Sequence, residues 1–568
     1  MKAKTTSRTT SPEENTNPAP GASPERVAAN FLATPRQGTL FELAPQSDLS
    51  DLIALSCDLA SFEPRLLELI GRDLDAHALA KKQKRLDHQR WVVEQTGTLL
   101  DVPADRSAPV VLDTGRPRIK PICALVFLLL RGWLGGPKDE RFRMATRESV
   151  SLRIFLENIG QPPPSGSALG ENLNAISAGT LAAIHRAELA MAFAEGLDDF
   201  AVLRIDSTDT RSASAYPTDS STITKLACRM CGRLVKLPRL GLCPPGAAGL
   251  EDIEGELRKL NYRISTLTSS SAKQAEAAAR EEADNGTPQP PENKGDTEVV
   301  GSAKTRLRRE LYEELYAMAE GALPTIAAGF AAARAEIESH EAPPDQQRRR
   351  ETFVAEFEAD LDDLGRAIEQ SRRRVCEGKR PSAAAGMPLG VSDRDASFIE
   401  KGSWERTFGY RPQIDFSGSN LVTALIVPVG NASDQSQLVA AVNESIANTG
   451  VVPRLVTIDD GYTGAEQLEG VEALGIKLVS FSGARGKALL GEEKWESEEY
   501  RAARRLRNGA ESGIYVLKKR VGFEQLSACG QERVRAELMG KVLAYNALKI
   551  AQLRRRKRKR EPARQQAA

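Results

Sequence analysis

Apolar residues in this chain recur at two different spacings, and the spacing switches at defined points. Between Asp48 and about Phe200 they return every three or four residues, as in LLELIGRDLDAHALAKKQKRLDHQRWVV, ICALVFLLLRGWL, SLRIFLENIG and ENLNAISAGTLAAIHRAELAMAFAEGL. That period predicts amphipathic helices divided by short polar breaks such as GQPPPSGSALG. At Ala201 the character changes. Val202-Leu203-Arg204-Ile205 is short and β-branched and runs into Asp206-Ser207-Thr208, a strand that delivers an acid at its carboxyl end. A helix is expected near 223–235. From about Leu250 to Lys379 the helical period returns in strongly charged text, interrupted by NGTPQPPENKGD, which predicts antiparallel helices packed on one another. Strand signals then follow quickly. FGYRPQIDFS and NLVTALIVPV read as a hairpin, SDQSQLVAAVNESIANTG as a helix, RLVTIDDGY as a strand ending in acids, AEQLEGVEALG as a helix and KLVSFSG as a strand, before a long charged helical tail. Strands alternating with helices imply an α/β fold, a mixed, largely parallel sheet with helices on its faces.

At 568 residues the chain is long enough for roughly three to four folding units. Hydrophobic residues at 41% and charged residues at 27% exclude a wholly disordered chain. The longest apolar run, PICALVFLLL, is about half of what a bilayer span needs and reads as a core helix, so no membrane partner is expected. Residues 1–48, rich in Ser, Thr, Pro and Asn, carry no apolar signal region and read as a tail. Seven cysteines thinly spread do not make a disulfide framework, so a reducing cytoplasm is the expected setting. The net charge of +1 is a cancellation: from Arg485 onward there are 22 Lys/Arg against 10 Asp/Glu, leaving 56 against 67 before it. Such asymmetry points to a polyanionic partner.

Three acids stand out by position. Asp206 and Asp459 end strands, where side chains of an α/β sheet reach the ligand crevice, and Glu511 lies in the helical text after the last strand. Asp209 and Asp460 are their near rivals. In RAARRLRNGAESGIYVLKKR, Arg504, Arg507, Glu511 and Lys518 are three, four and seven residues apart. At about 100° per residue these share one helical face, setting a carboxylate among cations suited to phosphate oxygens. Asn508-Gly509 is poor helix-forming sequence, and a helix beginning only at Ala510 would detach Arg504 and Arg507 from that face. Arg554, Arg555, Arg556, Lys557, Arg558, Lys559 and Arg560 form an unbroken cationic run, read either as a phosphate-contacting element or as a solvated tail. Cys228, Cys231 and Cys243 resemble part of a zinc site but have no fourth ligand nearby, and buried thiols are the plainer reading. His77, His88, His185 and His340 show no ligand spacing.

Taken together these blocks resemble a bacterial insertion-sequence transposase of the DDE type with a ribonuclease-H-like core. One group of that superfamily carries Tyr-x2-Arg-x3-Glu-x6-Lys, and here the text is Arg504-x2-Arg507-x3-Glu511-x6-Lys518, with Arg504 at the tyrosine position. Further similarity lies in RIDST followed by YPTDSS, in FGYRPQIDFSGSNLVTALIVPVGNASD and in VPRLVTIDDGYTGAEQLEGVEALGIKLVSFSGARG. The resemblance implies a catalytic and metal-binding triad of Asp206, Asp459 and Glu511, two Mg2+ ions with Mn2+ able to substitute, and cleavage of DNA ends followed by joining of the 3′-hydroxyl to target DNA. Arg504, Arg507, Lys518 and Arg554–Arg558 would meet double-stranded DNA, with a second copy of the chain as partner on the DNA. A silent DNA-binding protein of the same fold and a nuclease without strand transfer are the alternatives. The organisation expected is a tail at 1–48, a helical DNA-binding domain at 49–199, a catalytic core at 200–248 and 408–548, a helical insertion at 249–407 and a basic tail at 549–568. The insertion follows from the 252 residues between Asp206 and Asp459 against 51 between Asp459 and Glu511.

Overall fold

In the computed structural model the described residues are 48–97, 118–136, 138–243, 249–284, 294–379, 390–401, 405–430 and 432–565. Residues 1–47 of the tail expected at 1–48 and most of the linker at 285–296 lie outside them, while Asp48 is the first described residue.

Helices α1 (Asp48–Phe62), α2 (Arg65–Thr96), α3 (Pro121–Leu134), α4 (Glu140–Glu148), α5 (Val150–Asn158), α6 (Gly166–Ala175) and α7 (Ala178–Ala194) follow the three- and four-residue period. Their starts are chemically marked. Ser149, Ser165 and Ser177 each accept a backbone N–H three residues on, and Pro121 opens α3 where its missing N–H costs nothing. Residues Ile122 to Leu130 of α3 are all buried, as expected of a helix that is apolar all round.

Strands β1 (Val202–Ser207) and β2 (Thr210–Arg211) lead into α8 (Asp219–Val235), which Thr218 starts with a reciprocal capping box to Ser221. Helices α9 (Leu250–Asp284), α10 (Lys294–Ser339) and α11 (Pro344–Val375) then pack with α8 around Leu226, Met230, Leu257, Tyr316 and Phe357. Asp360 of α11, fully buried, is held by Arg229, Arg233 and Arg394.

Next come β3 (Ser397–Lys401), β4 (Glu405–Tyr410), β5 (Gln413–Ser417), β6 (Val422–Ile426), α12 (Asp434–Thr449), β7 (Leu455–Ile458), α13 (Ala465–Glu472) and β8 (Leu478–Phe481). Helices α14 (Ala484–Leu490), α15 (Glu492–Glu496), α16 (Glu498–Leu506), α17 (Asn508–Val521) and α18 (Gln531–Gln565) complete the chain. One sheet has the order β6-β5-β1-β7-β8; β1, β7 and β8 are parallel, whereas β5 pairs antiparallel with both β1 and β6. A smaller sheet has the order β2-β4-β3. The segment FGYRPQIDFS, read above as one arm of a hairpin, therefore divides between two sheets. Arg411-Pro412 separates the arms, and Pro412, lacking an N–H, offers only its carbonyl, which accepts from Thr208. The mostly helical chain with its mixed sheet is an α/β fold.

Phe416, Leu517, Val521, Leu538 and Val542 bury one sheet face under α17 and α18, and Leu203, Ile205, Leu438, Val442 and Val471 bury the other under α12 and α13. Helix α18 also crosses α3 at near contact. A Cβ on Gly132 would sit 2.0 Å from the Gly540 carbonyl oxygen. Leu543, Leu548 and Ile550 of α18 thereby join Leu52, Leu59, Phe155 and Leu189 in a single core. No helix among the described residues is long and apolar enough to cross a membrane.

Candidate active site

Alternation along β1 sends Leu203 and Ile205 to the α12 face and leaves Arg204 and Asp206 on the α17 face. The parallel register pairs Ile205 with Ile458, so one step further Asp206 and Asp459 emerge side by side at the carboxyl end of the sheet. Glu511 arrives from the first turn of α17. That helix lies unusually close to the sheet because Gly509 and Gly513 face it. A Cβ on Gly509 would overlap the Arg204 guanidinium, and one on Gly513 would stand 2.7 Å from the Phe416 ring.

The three carboxylates converge on one guanidinium. Arg507 Nη2 stands 3.1 Å from Asp459 Oδ1 and 3.7 Å from Asp206 Oδ2, and its Nη1 lies 3.2 Å from Glu511 Oε1. Side-chain exposure rises from 15% at Asp206 and 16% at Arg507 to 43% at Asp459 and 63% at Glu511, so the group forms a cleft that deepens toward Asp206. Ser482, at the end of β8, donates to Asp459 Oδ1 across 3.0 Å, and the Ser207 N–H donates to Asp206 Oδ1 across 2.8 Å. Burial pushes the Asp206 carboxyl up to about 6; Arg507 and the Ser207 N–H oppose this, while Asp459 and Glu511 add to it.

The near rivals are placed elsewhere. Asp460 turns away to accept the N–H groups of Gly486 at 3.0 Å and Arg485 at 3.4 Å, closing the start of α14. Gly483, at φ +95°, is needed there, since a Cβ would meet the Asp460 carboxyl at 2.5 Å. Asp209 lies in the short connection between β1 and β2. A second polar group borders the cleft: Arg411 bonds Ser207 Oγ at 3.2 Å and Asp434 at 2.7 Å, and Gln413 joins Asp434 to Tyr462. Neither Ser482 nor this group was legible beforehand; the only signal for Ser482 was its position at the end of a strand adjoining Asp459.

The cations expected on one face with Glu511 separate. Helices α16 and α17 meet at Arg507, whose own backbone is helical. Arg504 instead stacks on Trp495, 3.9 Å from the ring centre, and donates to the Trp495 carbonyl. Lys518 is half-buried on α17. In the basic run Arg554 pairs with Glu195 and Asp58, and Arg555 pairs with Asp51. Arg556, Lys557 and Arg558 are exposed, with Lys557 also reaching the Glu195 carbonyl, and the side chain of Arg560 lies outside the described residues. Cys231 is buried, Cys228 half-buried and Cys243 exposed, all as free thiols. Buried His185 donates to the Val422 carbonyl.

Three carboxylates gathered on one positive group are the hard-oxygen donor set that a divalent ion such as Mg2+ takes. No three His, Cys, Asp or Glu side chains among the described residues stand close enough to hold a single metal ion. No curated protein and no solved structure matches the chain. Residues 365–547, which include Asp459 and Glu511 but not Asp206, match the family model of the transposase DDE domain, and this supports a DDE-type transposase.

Proposed function

We propose that the chain is a transposase that binds the terminal inverted repeats of a mobile element, hydrolyses the DNA ends and joins the freed 3′-hydroxyl to target DNA. The observation that carries this reading is the convergence of Asp206, Asp459 and Glu511 on Arg507 within 3.7 Å, from two strand ends and a helix. The sheet order β6-β5-β1-β7-β8, with β5 antiparallel, supports a ribonuclease-H-like core interrupted by α9–α11.

Asp206, Asp459 and Glu511 would hold two divalent ions, which when bound supply activation of a water or hydroxyl and charge neutralisation at phosphorus. Ser482 fixes the rotamer of Asp459, and the Ser207 N–H fixes that of Asp206. Burial of Asp206 at the base of the cleft keeps bulk water away from the oxygens that meet the ion. Lys518 and the exposed residues Arg556, Lys557 and Arg558 would contact phosphates, and the helices of 49–199 would read the repeat in the major groove. A second copy of the chain would complete the DNA-bound assembly.

The test uses the full chain with end-labelled duplexes carrying the inverted repeats that flank its reading frame. Mg2+-dependent nicking and strand joining are expected, and Asp459→Asn should abolish both while leaving binding nearly intact. Nicking without joining would reduce the protein to a nuclease, and binding without nicking to a silent DNA-binding protein.

A further inference from the structure

Arg507 occupies the space that the three carboxylates enclose. A divalent ion held by Asp206, Asp459 and Glu511 needs the same oxygens, at about 2.0–2.1 Å for Mg2+. Two cations cannot share that volume. The guanidinium is also incompletely satisfied where it lies, because its Nε is buried with no hydrogen-bond partner among the described residues. Its backbone sits at the joint between α16 and α17, bridged by three-residue hydrogen bonds, Arg507 N to Arg504 O and Ala510 N to Arg507 O. Asn508 and Gly509, the next two residues, are weak helix formers. The side chain therefore starts from a locally tightened turn at the cleft edge and has solvent on one side.

From this arrangement we infer that Arg507 is a resident counter-ion which the divalent ion displaces, and that displacement frees its guanidinium to grip a phosphate of the bound DNA. The inference rests on the metal-ligand assignment proposed above. Before the ion arrives, Arg507 holds three mutually repelling carboxylates together. Once it is expelled, five N–H donors become available at the cleft mouth, where a phosphate is the matching bidentate acceptor. Metal and DNA binding are then linked through one side chain, and linkage is reciprocal: each ligand raises affinity for the other by the same factor. Arg507 acts as a positioning residue for the carboxylates and as a coupling element between the two ligands.

The experiment measures binding, independently of turnover. Free Mn2+ is counted by electron paramagnetic resonance in titrations of the full chain, as wild type, Arg507→Ala, Arg507→Gln and Asp459→Asn, without DNA. Removing the competing cation should tighten Mn2+ binding about tenfold in both Arg507 variants, the size expected of one nearby charge in a partly solvated cleft. In parallel, anisotropy of a labelled duplex at constant ionic strength should show Ca2+ tightening DNA binding several-fold for wild type and much less for either Arg507 variant. Circular dichroism melts establish that each variant is folded, and Arg507→Gln, which keeps most of the side-chain volume, serves if the alanine variant is not. Unchanged or weaker Mn2+ binding in the folded Arg507 variants would overturn the inference, and so would Ca2+ tightening that survives in them. If instead Asp459→Asn binds Mn2+ as well as wild type, it is the metal-ligand assignment that fails.

Discussion

Asp459 and Asp460 are chain neighbours with opposite surroundings: the first faces Arg507 across 3.1 Å, and the second caps the start of α14 through the N–H groups of Arg485 and Gly486. Substitution should separate them cleanly. Asp460→Ala is expected to lower stability by about 1 kcal/mol, the usual loss for a capping side chain, while cleavage survives. Asp459→Asn should do the reverse. Urea melts and end-cleavage assays on the two variants decide the point, and loss of chemistry in a fully stable Asp460→Ala protein would move the ligand assignment to Asp460.

Gly513→Ala sets helix propensity against packing. In a free helix the change would gain roughly 1 kcal/mol. Here the new methyl would stand 2.7 Å from Phe416, and overpacking of that kind costs about 1–3 kcal/mol, so a net loss is expected. Gly509→Ala should be worse, because Arg204 is anchored by the Ser417 and Gly418 carbonyls and cannot yield easily. A rise in melting temperature for either variant would contradict the close seating of α17.

Asp415, fully buried on β5, accepts from Ser445 at 2.8 Å, while its other oxygen has no partner among the described residues. Burial pushes this carboxyl up to about 7. A raised acid means that the native state holds a proton which the unfolded chain releases. This group's contribution to stability is therefore fully present below about pH 4 and declines as pH rises to about 7. At about 1.4 kcal/mol per pH unit the loss is on the order of 4 kcal/mol. Asp415→Asn should lose this component, so the stability difference from wild type should shift toward the variant between those limits and then level off. Equal pH profiles for the two proteins would refute it.

The basic run is divided by its partners. Arg554, tied to Glu195 and Asp58, is a structural residue, and Arg554→Ala is expected to cost about 1–3 kcal/mol. Replacing exposed Arg556, Lys557, Arg558 and Lys559 by Gln should leave the melting temperature nearly unchanged while lowering the salt slope of DNA binding by up to about 4. A truncation that probes DNA contact should therefore end after Arg555, because ending at Leu553 also removes three ion pairs.

Strand alternation and strand-end acids made Asp206 and Asp459 readable from the chain itself, since both depend on local period and position. Glu511 came mainly through the Arg-x3-Glu-x6-Lys spacing. What stayed hidden depends on contacts between distant segments: Arg504 needed Trp495 to be drawn aside, and Arg507 needed two strand ends to become a counter-ion. The division at Arg411-Pro412 was visible in the text, yet its apolar alternation continues across the proline, and only the competing β2-β4-β3 pairing separates the two arms.

The meeting of Gly132 with Gly540 also bears on synthesis. The first helices are complete by Ala194, but the residues that finish their core, Leu543 to Ile550, are made about 350 residues later. At roughly 5–20 residues per second, α1–α7 wait on the order of 20–70 s with apolar surface uncovered. The middle turns of α18 thus set the moment at which the core of α1–α7 can close.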